Sequence, residues 1–151
     1  MIYKWKTGYK NKVSADVAGA VMDQLSKENR LSARTLVDIS RPEDAPLHNA
    51  FEWDDTEAAE RWREQQGRVL INSIVIQAEE HPEVQPVRAF FVVEQKTGNY
   101  ELVTTILRDE DKRMKLLESA KRELAAFKAK YNSLIEFEKL FNEIDRVLEV
   151  S

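Results

Sequence analysis

The sequence predicts an α+β fold: N-terminal helices, a small three-stranded antiparallel sheet, and a C-terminal helical hairpin or coiled coil. Three observations carry this. Apolar residues recur at helical spacing up to about residue 72 and again beyond residue 108. Between them the period shortens to that of strands. Only four glycines and four prolines interrupt 151 residues, which leaves room for long regular elements.

Residues 1–12 hold Lys4, Lys6, Lys10 and Lys12, with Tyr3, Trp5 and Tyr9 between them and no acid. The alternation predicts a short strand or extended arm turning at Gly8. Such a segment suits nucleic acid, because lysines meet phosphates and aromatics meet bases. It equally suits an edge strand whose lysines discourage edge-to-edge pairing, the commoner use of such residues.

Ser14 is placed to cap a helix to about Glu28, with Val17, Ala18, Val21, Met22 and Leu25 as its apolar stripe. Ser32 is placed to cap a shorter helix holding Leu36, Val37 and Ile39. Two helices joined by three residues resemble the start of a helix-turn-helix, with Arg34 and Arg41 as its only plausible readers of bases or phosphates. A helical pair packing a core is the commoner outcome.

A proline-punctuated loop over 41–46 leads to Leu47–Asp55. Asp54 and Glu57 have capping-box spacing, so a helix is expected from about Asp55 to Ile71. Ala58, Ala59, Trp62, Val69 and Leu70 form its expected buried stripe. From Ser73 the sequence reads as strands over 73–77, 87–94 and 100–107, the last two joined at Gly98-Asn99. The final third places Leu117, Ala120, Leu124, Phe127, Tyr131 and Leu134 at heptad-like spacing. Ser133 and Glu136 suggest a second helix start, with Phe137, Leu140, Phe141, Ile144 and Leu148 as its stripe. The chain is thus read as one domain, an α+β body over 1–107 carrying a helical pair over 108–151.

Composition bounds the function. A 42% hydrophobic and 33% charged chain is globular with a well-solvated surface. The lack of cysteine excludes disulfides, thiolate zinc sites and thiol nucleophiles. The N-terminus lacks a signal-peptide pattern and no apolar run approaches membrane-spanning length, so a cytoplasmic protein with no membrane partner is expected. A net charge of −4 argues against a wholly basic nucleic-acid binder and turns attention to local patches. Residues 108–130 carry eight basic and five acidic side chains, and 132–151 carry two and five. Lys112, Arg113, Lys115, Lys121 and Arg122 are therefore candidate phosphate contacts, together with Arg34 and the four lysines of the arm. Opposite charges along a helical seam explain the same asymmetry, and slightly better.

The only close cluster of ligand-type residues is His48, Glu52, Asp54 and Asp55. An oxygen-rich metal site is conceivable there, but carboxylates at a helix start are already favoured by its dipole. There is no Gly-rich phosphate loop and no hydrolase or metalloprotease motif. No catalytic residue, metal or cofactor is expected.

The run Leu31–Val37, then Pro46-Leu47-His48, Phe51–Asp55, Ala58-Ala59-Glu60 with Arg63, Gln66 and Arg68, and Leu70–Ile74, resembles small proteins encoded by tailed bacteriophages and prophages. The likeness spans about residues 10–125 and is sharpest over Pro46–Asp55. Gly67 departs from it where alanine is expected, since glycine inside a helix costs up to about 1 kcal/mol. The resemblance implies a phage or prophage origin and a host-cytoplasmic location. The expected function is a non-enzymatic accessory protein that binds DNA or a DNA-processing complex. The alternative is a protein–protein module, either self-assembling through the C-terminal helices or inhibiting a host protein.

Overall fold

Ser14 and Ser32 both cap as their positions require. The Ser14 hydroxyl accepts from the Val17 amide at 3.3 Å, and helix α1 runs Ala15–Lys27. The Ser32 hydroxyl accepts from the Thr35 amide at 3.1 Å, and α2 runs Ala33–Ser40. Each hydroxyl satisfies a backbone donor that the first turn leaves orphaned. α1 ends in a left-handed turn at Asn29, with φ 54°. The Arg30 amide reaches back to the Leu25 carbonyl at 2.8 Å and the Asn29 amide to Ser26 at 3.0 Å, which is the Schellman arrangement.

The computed structural model describes residues 1–54 and 57–149, and the side chains of all of these but Glu57 and Ala58. It has the predicted α+β class, with six α-helices and two small antiparallel sheets among the described residues. The remaining elements are β1 (Ile2–Trp5), α3 (Glu57–Ser73), β2 (Ile74–Gln77), β3 (Val87–Arg88), β4 (Phe90–Val92), β5 (Tyr100–Leu102), α4 (Val103–Arg108), α5 (Glu110–Tyr131) and α6 (Glu138–Glu149). The chain forms two compact units, Met1–Arg108 and Asp109–Ser151. The expected capping of α3 by Asp54, and its start at Asp55, lie outside the described residues.

In the first unit, the N-terminal arm is the edge strand of a three-stranded sheet in the order β1-β2-β3. Tyr3 lies opposite Ile76 and Trp5 opposite Ile74, so the aromatics face the core and Ile2 and Lys4 face outward. The expected strand over 87–94 is split. β3 pairs with β2, whereas β4 pairs with β5 in a separate two-stranded sheet. Ala89 is the switch point: its amide donates to Ile74 at 3.0 Å and its carbonyl accepts from Val103 at 2.7 Å. Ala89 and Phe90 are fully buried there. The strand expected over 100–107 stops at Leu102, and 103–108 is helical instead.

The core gathers Met22 and Leu25 of α1, Leu31, Leu36 and Val37, Leu47, Leu70 and Ile71 of α3, Ile74 and Phe90. Gly19 lets the Tyr3 ring lie directly on α1, because a Cβ there would fall 2.2 Å from the Tyr3 Cγ. α2 packs chiefly on α3 and at most slightly on α1, unlike the closely packed helices of a helix-turn-helix. Gly67 explains itself at that contact. A Cβ on it would meet the Ala33 carbonyl at 3.2 Å, so glycine permits the close approach of the two helices.

The second unit is a helical hairpin turning at 132–134. Asp109 caps α5, accepting from the Lys112 amide at 3.1 Å. The expected start at Ser133 is displaced, because a 3-10 turn over Ile135–Phe137 precedes α6. Phe127 meets Phe137 and Phe141 along the seam, with ring centroids 6.2 and 6.4 Å apart.

Candidate functional site

α3 carries the largest departure from expectation. The stripe it buries is Arg63, Gly67, Leu70 and Ile71. Trp62 is 60% exposed and Val69 38% exposed, although both were expected inside. The reason is the Arg63 guanidinium, itself only 3% exposed. It donates to the Glu52 carbonyl at 2.6 Å, the Asp54 carbonyl at 2.8 Å and the Glu60 carboxylate at 3.0 Å. Those bonds replace the water that burial removes. With Arg63 inside, its neighbour Trp62 is turned outward by about 100° per residue.

Arg63 thereby fixes the loop that looked most like a site. Two guanidinium groups lie over Trp53, with Arg63 5.1 Å and Arg41 5.9 Å from its ring centroid. His48 stacks on the indole itself, with ring centroids 5.0 Å apart, while its Nδ1 lies 3.0 Å from the Ser40 carbonyl. Trp53 Nε1 donates to the His48 carbonyl at 2.7 Å. Arg41 also bonds Asp38 and Glu60. Burial works against the Glu60 carboxylate, but hydrogen bonds from Arg63 and Arg41 outweigh it and hold its pKa below the ordinary glutamate value. Among the described residues no three His, Asp or Glu side chains gather as a metal ion requires. His48 joins the latch through its ring and its carbonyl, Glu52 and Asp54 join it through their carbonyls, and Asp55 lies outside the described residues.

The arm places its lysines differently from its aromatics. Trp5 and Tyr9 pack edge to face at 5.1 Å, and Trp5 Nε1 donates to the Val13 carbonyl at 3.1 Å. The Lys6 amide is tied to the Ser73 carbonyl at 2.8 Å. Lys4, Lys6, Lys10 and Lys12 are all exposed. Lys4 and Lys6 line a concavity of about 490 Å³ with Gln77 and Gln85. Lys10 lines another, of about 320 Å³, with Tyr9, Asn11 and the exposed Trp62. Arg34 is exposed on α2 and stands apart from both sets of lining residues.

On α5 the five basic candidates do not share a face. At helical spacing Lys112, Lys115 and Arg122 lie on the side turned away from α6, and Lys130 extends their line. Arg122 also donates to the Ser119 hydroxyl at 2.9 Å. Arg113 lies in line with Ala120, Leu124 and Tyr131, toward the seam. Lys121 shares a flank with Lys128, which pairs with Asp145 at 2.5 Å.

The opposite flank of the hairpin is apolar, with Ala120 and Phe127 of α5 beside Leu140 and Val147 of α6. Leu140 is 47% exposed. No family model, curated protein or solved structure matches the chain. Among the described residues no helix is long and apolar enough to cross a membrane.

Sequence reasoning missed Trp62. The signal was there in Gly67, four residues after Arg63: a glycine inside a helix marks a close contact, and that contact sets which face is buried.

Proposed function

We propose that this is a non-enzymatic accessory protein of a bacteriophage or prophage, acting in the host cytoplasm by binding nucleic acid or a complex that processes it. One observation carries this: inward-facing aromatics staple residues 1–12 to the core and leave four lysines outside, with no acid in that segment. An arm fixed in this way meets phosphates without first losing conformational freedom, which favours binding. The outer line of Lys112, Lys115 and Arg122 supplies a second basic surface. Binding should weaken steeply with salt, because it rests on phosphate neutralisation. A mobility-shift assay at low salt tests it with duplex and single-stranded DNA and RNA. Retardation lost in a Lys4, Lys6, Lys10, Lys12→Glu variant supports it. No retardation at micromolar protein defeats it.

A second function, self-association through the C-terminal helices, is favoured by the apolar flank of Phe127, Leu140 and Val147. Beside it α5 carries Lys112 and Lys130, while α6 carries Glu143 and the 3-10 turn before it carries Glu136. A second copy related by a two-fold axis along the hairpin sets α5 against the partner's α6, so basic and acidic rims meet. Light scattering should give a dimer that Leu140→Asp with Val147→Asp converts to monomer. A wild-type monomer at 100-fold dilution series extremes alike would defeat it.

A further inference from the structure

The groove between the arm and α3 has a composition that neither core packing nor solubility requires. One wall is Tyr9, held by its edge contact with Trp5 and by the Asn11 amide, which donates to its hydroxyl at 3.3 Å. Asn11 is itself fixed, accepting from the Val13 amide at 2.9 Å. The other wall is one face of α3, presenting Trp62, Gln65 and Val69. Lys10 stands at the lip, and among the described residues no acidic side chain lines the groove. A large indole left 60% exposed on an ordered helix is unusual, because full burial of an aromatic is a major source of stability.

The chemistry selects the occupant. A flat apolar surface invites a flat partner, the amides of Asn11 and Gln65 suit polar ring edges, and the local charge is positive. A nucleobase with its phosphate meets all three conditions. A duplex does not, because its stacked bases offer no free ring face to an indole. At about 320 Å³ the groove is the size of a small-ligand pocket and too small for a helix of either polymer.

We propose that this groove takes one unpaired base of a single-stranded nucleic acid, stacked on Trp62, with the adjoining phosphates met by Lys10 and Lys12. The proposal rests on the nucleic-acid function above and adds to it the strand state and the residue that reads it. The arm supplies charge and Trp62 supplies a preference for unpaired strands. Discrimination among the four bases is expected to be slight, since every base has a ring face.

The test uses the full chain and fluorescence anisotropy with a labelled 20-nucleotide oligo(dT) and a 20-base-pair duplex at low salt. Wild type is compared with Trp62→Ala and Trp62→Phe, each first checked for an unchanged circular-dichroism spectrum and melting temperature. Because Trp62 is exposed, both variants should fold. The single strand should bind more tightly than the duplex, Trp62→Ala should weaken that binding by about tenfold, and Trp62→Phe should restore most of it. Intrinsic tryptophan fluorescence should be quenched by oligo(dT) in wild type and much less in Trp62→Ala.

Single-strand binding that is identical in wild type and Trp62→Ala overturns the groove proposal and leaves the lysine arm standing. A preference for the duplex overturns it in the same way. No binding of either probe by wild type overturns the groove proposal, and together with no retardation of RNA it removes direct nucleic-acid binding as well.

Discussion

The body and the hairpin each carry a conspicuous ion pair, and the two pairs are built on different principles. In the body, Arg63 is buried and its guanidinium is shared among one carboxylate and two backbone carbonyls. In the hairpin, Lys128 bridges to Asp145 with both side chains partly exposed. The surroundings differ in the same sense. Of the buried apolar side chains among the described residues, only Phe141 and Ile144 belong to the hairpin, and α5 buries none across its length. The body closes on itself through specific polar contacts inside a core. The hairpin relies on one apolar seam with charge along its edges, and leaves an apolar flank to whatever it meets.

The sharpest way to break that contrast is to remove each cation in turn. Arg63→Met should cost about 3 kcal/mol, because the Glu52–Asp54 loop loses two charge-assisted bonds and Glu60 loses a partner. Lys128→Met should cost less, about 1 kcal/mol, as a single partly exposed pair does. Urea unfolding at neutral pH measures both. Similar costs for the two would mean that the Arg63 latch does not hold the body together.

Close packing offers a second contrast of about 1–3 kcal/mol, the usual cost of overfilling a core. Gly19→Ala should destabilise the body by that amount, since its methyl would occupy the position of the Tyr3 ring. Ala in place of the half-exposed Ser119 of α5 should be close to neutral, losing only the bond from Arg122. The midpoint of thermal unfolding tracked by far-ultraviolet circular dichroism reports both changes.

How much of this was legible follows from where each residue's environment is decided. Ser14, Ser32, the turn at Gly98 and the break near Ser133 act within a few residues, and the sequence placed them correctly or within a turn. The break of 87–94 at Ala89 did not announce itself. An unbroken apolar run fits one strand as well as two, and only the competing partners β2 and β5 divide it. Trp62 was misplaced for a related reason. Hydrophobicity puts tryptophan inside and arginine outside, but the Arg63 bonds to distant carbonyls reverse the order. The arm was read correctly as an edge strand, while the concavities its lysines line depend on α3 and on Gln85, far along the chain.

Acid should probe the latch more gently. Glu60 is held below its ordinary value of 4.5, so the folded state keeps its carboxylate ionised where the unfolded state has taken up a proton. That contribution is fully present above the unfolded value and is lost as pH falls through the folded one. Stability should therefore decline as pH drops below about 4.5, and Glu60→Gln should flatten that limb relative to wild type. A parallel decline in both proteins would show that other carboxylates set the acid limb.

The smallest effect expected at neutral pH concerns Tyr3, and it has an unusual sign. Its hydroxyl is buried without a hydrogen-bond partner, as is Asp23 Oδ1. Burial, and the nearby Asp23 charge, push the phenol up to about 12 from its ordinary 10.0. Tyr3→Phe keeps the ring on Gly19 and against Phe90, where the two rings stack at 6.3 Å, and removes only the unsatisfied oxygen. It should leave stability unchanged or raise it by up to about 1 kcal/mol. In alkali the wild type should lose stability between about pH 10 and 12, because there the unfolded phenol has released a proton that the folded one retains. The variant should lose less over the same range. Both follow from guanidinium titrations at pH 7 and pH 11. A Tyr3→Phe protein that is markedly less stable at pH 7 would mean that the hydroxyl has a bonding partner, and that the inward side of the arm is held by more than its rings.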